Sequence, residues 1–256
     1  SMVKVRVGKQ SIVWGSRENE YSGMDQFYYS DTNVNNFPGN EVGVALKLAV
    51  AGQNFTAVLA NNENDNANQN LGDMAISFQY NGSILNGMIE PIVSFGMMPY
   101  AEQDEDSDEG EVDAWTKTHM ALGTRVTPIK GLILEAEYDT VMIPEDGSGS
   151  GEDEVWTSIV LQAAYNLNIV EPFVKLSIDT HDVDADDADT NYTGFNIGTY
   201  VYPDNNGSVK TYRLHAVYVV QTADPEADDA TGTYKGVAYK DDVSVGKLNF
   251  GVGVRF

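Results

Sequence analysis

The sequence predicts an all-β chain, a transmembrane up-and-down antiparallel β-barrel of about twelve strands. Three observations predict it. Apolar and polar residues alternate with period two along most of the chain, as they do in strands with one apolar face. The connections between these segments are long and short by turns, which collects every long connection at one end of a meander. No apolar run approaches the roughly 20 residues that a membrane-crossing helix needs.

The alternating segments are residues 3–10, 41–50, 54–62, 72–80, 88–97, 115–126, 131–141, 155–166, 172–179, 191–202, 210–221 and 244–256. Long polar connections cover 11–40, 63–71, 98–114, 142–154, 180–190 and 222–243, and short turns cover 51–53, 81–87, 127–130, 167–171 and 203–207. With no break in this pattern, residues 1–256 read as a single barrel domain. Ser1-Met2 reads as a cloning remnant, so further natural chain is expected upstream.

A soluble sheet also alternates, so the composition of the apolar face matters. Val42, Val44, Leu46, Leu48 and Val50 are apolar through a whole strand, as are Leu132, Leu134, Ala136 and Tyr138 in another. Strands of about ten residues suit a tilted crossing of the hydrocarbon layer. Aromatic girdles are expected from Phe55, Tyr80, Tyr165, Tyr212 and Phe256 on the short-turn side, and from Phe95, Tyr138 and Tyr218 on the long-loop side.

The opposite face then lines a lumen. It carries Lys4, Arg6, Lys47, Lys117, Arg125, Lys175, Arg213, Lys247 and Arg255, with His119 and His215. The acids there are fewer: Asp73, Glu90, Glu135, Glu137, Asp139 and Asp179. Isolated charges are too costly to bury dry, so water or dense pairing must surround them. Small residues at Gly43, Ala45, Ala49, Ala121, Gly123, Gly194, Gly198, Gly251 and Gly253 leave room for a narrow aqueous path. Its basic wall would attract anions, as charged rings do in other channels. The alternative is a lumen filled by Arg/Lys–Asp/Glu pairs. The pore-lining set is Lys47, Lys117, Arg125, Glu135, Glu137, Lys175, Arg213 and Arg255.

The formal charge of −24 argues against nucleic acid as a partner, because phosphate binding needs a basic surface. Much of it lies in the long loops, with eight carboxylates in 102–113, five in 145–154 and five in 182–189. These read as solvated surface. A weak Ca²⁺ site is the sharper reading, with Asp182, Asp184 and Asp186 as candidate ligands spaced like the start of an EF-hand loop. Asp187 and Thr193 stand where that loop needs Gly and Glu, so no EF-hand is expected. Cations held by these loops would bridge to lipopolysaccharide. No cofactor is expected. The 30-residue first loop, 11–40, holds Trp14, Tyr21, Phe27, Tyr28, Tyr29 and Phe37, and a loop of that length is usually functional.

The chain closes on Leu248, Phe250, Val252, Val254 and Phe256, one apolar face with a terminal aromatic. This resembles the last strand of Gram-negative outer-membrane barrels, where such an ending is read by the assembly machinery. Val5-Arg6-Val7-Gly8-Lys9-Gln10 followed by Trp14-Gly15 is similar to a strand and turn of porins, and residues 43–61 resemble early strands of phosphate-selective-type porins. The resemblance implies an outer-membrane porin for passive diffusion of small hydrophilic solutes, with membrane lipid around it and a homo-oligomeric assembly. Those relatives have more strands, so the chain reads as a smaller relative or one lacking upstream strands. A closed interaction barrel with cation-binding loops is the alternative function.

Catalysis is not expected. The three histidines have no sequence-level nucleophile partner, residues 147–151 do not form the G-x-S-x-G elbow, and no phosphate loop, zincin motif or dinucleotide fingerprint occurs.

Overall fold

The computed structural model describes residues 2–10, 41–61, 74–100, 114–147, 151–184, 189–203, 212–225, 231–234, 237–240 and 243–254. Twelve strands form one antiparallel meander: β1 (Met2–Gln10), β2 (Glu41–Val50), β3 (Gln53–Asn61), β4 (Met74–Asn81), β5 (Ile89–Tyr100), β6 (Trp115–Val126), β7 (Leu132–Ile143), β8 (Glu154–Tyr165), β9 (Val170–Val183), β10 (Thr190–Val201), β11 (Tyr212–Pro225) and β14 (Val243–Val254). Each pairs with the next, the order expected of an up-and-down barrel. A small hairpin of β12 (Thr231–Tyr234) and β13 (Val237–Lys240) stands apart between β11 and β14. The alternation predicts loop throughout 222–243, and the hairpin is missed because four-residue strands give too short an alternation to register.

The short connections have local causes. Ala51 and Gly52 both adopt positive φ, 49° and 81°, between Val50 and its partner Gln53. That is the two-residue hairpin whose twist matches the flanking strands. Between β4 and β5 the turn carries a further bridge, Ile84 to Ile89, closed by a 3-10 turn at Leu85–Gly87. Thr127 donates its N–H to the Met88 carbonyl, tying two neighbouring short turns together.

Inward and outward positions alternate along the walls. Leu134, Tyr138 and Met142 on β7 face outward and exposed, while Glu137, Asp139 and Val141 between them are buried. The outward face is apolar around the sheet: Leu59, Phe78, Phe95, Leu122, Ile159, Ile178, Phe195 and Leu248 among others. A contiguous apolar surface of this extent needs lipid rather than water against it. A twelve-residue strand is about 40 Å long, enough to cross the roughly 30 Å hydrocarbon layer at a barrel's tilt.

β1 and β14 are the end staves of this wall and run antiparallel to each other, with no pairing between them among the described residues. Their outward side chains are shielded by one neighbour instead of two: Val5 is 62% exposed and Phe250 73%, against 39% for Val93 in mid-sheet.

The long-loop girdle is corrected. Phe95, Tyr138 and Tyr218 lie mid-strand, because β5, β7 and β11 run further outward, to Tyr100, Ile143 and Pro225. The short-turn side keeps Phe55 and Tyr80 as neighbours, ring centroids 5.1 Å apart, with Tyr165 at the end of β8. Tyr212 begins β11, and Phe256 lies outside the described residues.

Candidate pore lining

Cross-strand register, which a single strand's sequence does not reveal, arranges the inward charges in rows. One row runs across six strands: Glu90 opposite Arg125, Arg125 opposite Glu135, Glu135 opposite Gln162, Gln162 opposite Lys175, and Lys175 opposite Asn196. The side chains bond along it. Arg125 Nε donates to Glu135 Oε1 at 2.6 Å, its Nη1 reaches Glu90 Oε2 at 3.4 Å, and Gln162 donates to the second Glu135 oxygen at 3.0 Å. One guanidinium is shared by two carboxylates, and with Lys175 further along, the row's formal charges balance.

Two strand levels further outward, the Ser158 hydroxyl donates to Asp179 at 2.5 Å inside the wall. At the outer end His181 meets Glu154 at 3.0 Å and stacks on Trp156 with centroids 3.8 Å apart. Glu154 also acts electrostatically on Lys117 of β6. At the short-turn end, Phe173 stacks on Tyr200 at 4.7 Å, and Tyr202 donates to Glu171 at 3.3 Å.

Among the expected pore-lining residues, the structure brings Arg125 and Glu135 together and sets Lys175 and Glu137 in the wall nearby, 3% and 5% exposed. Lys117 sits half-buried nearer the outer end. Lys47 is exposed on the inner face of β2 and stands directly opposite Lys4 of β1. Arg6 on β1 and Lys247 on β14 are exposed on the same inner face. No carboxylate lies within ion-pair distance of these four among the described residues. Arg213 lies on β11 opposite Gly253. Arg255 and Asp73 lie outside the described residues. The lining is therefore two-sided, with paired and buried charges on β5–β10 and exposed cations on β1, β2 and β14.

Ala45 and Ala121 are buried among neighbours, so their small size accommodates packing on the inner face. The inner face also holds an apolar cluster of Ala164, Phe173, Tyr200, Tyr202, Val217 and Val219 at the short-turn end. Alternation marks which face these residues occupy but does not show that they pack into one group. Asp182 is the exposed penultimate residue of β9, and Asp184, just past the strand's end, has its N–H bonded to the Asp153 carbonyl at 3.0 Å. Asp186 lies outside the described residues, among which no group of three or more possible metal ligands occurs.

Fold and lining together define a transmembrane β-barrel of the outer-membrane type with a charged interior. The chain is similar in structure to OmpT, an outer membrane protein of Vibrio cholerae, with a TM-score of 0.62, 12% identity, and 97% of this chain and 76% of that one covered. It is equally similar to the outer membrane channel DcaP of Acinetobacter baumannii, with a TM-score of 0.62, 14% identity and coverage of 97% and 71%. A trimer form of OmpT matches at 0.61, with 13% identity and coverage of 97% and 77%. No family model matches the sequence, and no curated protein is significantly similar to it. At these identities the likeness establishes the fold, that of Gram-negative outer-membrane barrels.

Proposed function

We propose that this chain is an outer-membrane porin that lets small hydrophilic solutes diffuse passively, with a preference for anions. The carrying observation is Lys4 opposite Lys47 on the inner face, both exposed, with Arg6 and Lys247 on the same face. Like charges directly opposite on a sheet destabilise it. Their retention has a rationale if a passing anion is what neutralises them. The likeness to DcaP, a channel, supports conduction, and the trimer form of OmpT supports a homo-oligomer. Such transport uses no catalysis, since the wall replaces part of a solute's hydration and its charge sets the energy profile.

A second reading is favoured by the near-complete burial of Glu137, Lys175 and Asp179, which suits a closed barrel acting through its acidic external loops on cations and lipopolysaccharide. Single-channel recording in a planar bilayer under a KCl gradient separates the two. Stable steps with a chloride-selective reversal potential are expected. Steps selective for potassium would remove the anion preference, and folded protein without steps would leave the closed barrel standing.

A further inference from the structure

We infer that Trp115 and Gly147 set the width of the outer entrance by pinning the Glu145–Gly147 turn, just after β7, over the lumen; the inference rests on the channel reading above. Trp115 begins β6 on the same inward face as Lys117 and His119. Its indole stacks on Tyr100 of β5, with centroids 3.8 Å apart and planes 9° apart. Gly147 approaches the indole as well: a Cβ built there would meet Cδ2, Cε3 and Cζ3 of the ring almost equally. Near-equal approach to three carbons of one six-membered ring means contact over its face. Trp115 is thus held between Tyr100 and the backbone of a loop that belongs to two other strands.

That loop is shaped for the contact. Glu145–Gly147 forms a 3-10 turn, with the Gly147 N–H on the Pro144 carbonyl at 2.9 Å. The Glu145 N–H is held by Asp153 Oδ1 at 2.8 Å, across the loop's base. The Asp153 carbonyl receives the Asp184 N–H, and Glu154 meets His181, so the next loop's root is joined to the same anchor. Because the indole points inward, the backbone seated on it leans over the mouth rather than away from it. Gly147 has ordinary negative-φ backbone geometry, so only the indole excludes a side chain at this position.

Gly147→Ala is the test, with Trp115→Ala as a second variant and heat-modifiable gel mobility to show that both fold. Two readouts are taken. Cleavage at Glu145 by a glutamate-specific protease reports whether the turn is down, and swelling of liposomes in glucose, sucrose and raffinose reports the size limit. Faster cleavage together with a severalfold gain in raffinose influx is expected for both variants. Faster cleavage with an unchanged size limit would overturn the role at the entrance. Unchanged cleavage in folded Gly147→Ala protein would overturn the pin itself. Wild-type liposomes that admit none of the sugars would instead defeat the channel reading, and the entrance role with it.

Discussion

Arg125 on β6 and Glu135 on β7 face each other across one rung of the sheet, with Nε 2.6 Å from Oε1, and the same guanidinium reaches Glu90 on β5 at 3.4 Å. Three strands are thereby joined on the inner face by a single side chain. Arg125→Ala removes the cation shared by Glu90 and Glu135, which flank position 125 from either side in a partly buried row. Their side chains are 31% and 10% exposed, so water screens part of the repulsion. A loss of about 2 kcal/mol is expected, read as a lower urea midpoint in lipid, and Arg125→Ala/Glu135→Ala should recover part of it.

Lys4 and Lys47 make the opposite case, two like charges on one rung. Lys4→Gln or Lys47→Gln removes a repulsion, so stability should hold or rise by roughly 0.5 kcal/mol. Chloride preference should fall in each, and further in the double variant. The check is the reversal potential under a KCl gradient, beside the urea midpoint of the same samples. Selectivity unchanged in the double variant would place the anion preference elsewhere.

The outward face can be tested without reference to transport. Leu122 is mid-strand on β6 and points away from the inner row. On a soluble sheet an exposed Leu→Arg change is close to neutral, but at a bilayer midplane it costs about 2–4 kcal/mol. Leu122→Arg should therefore fold poorly into lipid vesicles and lower the urea midpoint measured there. Equal folding yields with and without the arginine would contradict lipid contact at this position.

Most of the wall was legible because the period of two is both a sequence property and a geometric one. Val42, Val44 and Leu46 face outward in the structure as the pattern requires, and so do Leu122 and Leu134. The alternation of long and short connections likewise fixed the order of twelve strands. Partnership was not legible. Arg125 meets Glu135 through a register set by the turn at 127–131, which no count along one strand reveals. The outer ends of β9 and β11 escaped because polar residues such as Asp182 and Thr222 continue the pairing beyond the apolar band. Gly147 reads as part of a flexible Gly/Ser run, yet its contact with Trp115 depends on a loop that folds back toward β6.

The β2–β3 hairpin offers a stabilising change. Ala51 holds φ at 49°, where its Cβ is strained, and Gly52 at 81°, where none exists. The pairing of Val50 with Gln53 leaves these two residues to make the whole turn. Residues with φ above zero at both central positions favour Asn-Gly over Ala-Gly, since Asn tolerates the left-handed region. Ala51→Asn should raise stability by about 0.5–1 kcal/mol, seen as a higher urea midpoint with the slope unchanged. Gly52→Val should do the reverse and by more, because a β-branched side chain at that φ crowds its own backbone. Both changes lie in the turn itself, beyond the last paired rung of β2, Val50 with Gln53, and at the opposite end of the wall from Trp115. Conductance and ion selectivity should therefore stay at wild-type values, and a change in either would show that this turn reaches the conduction path.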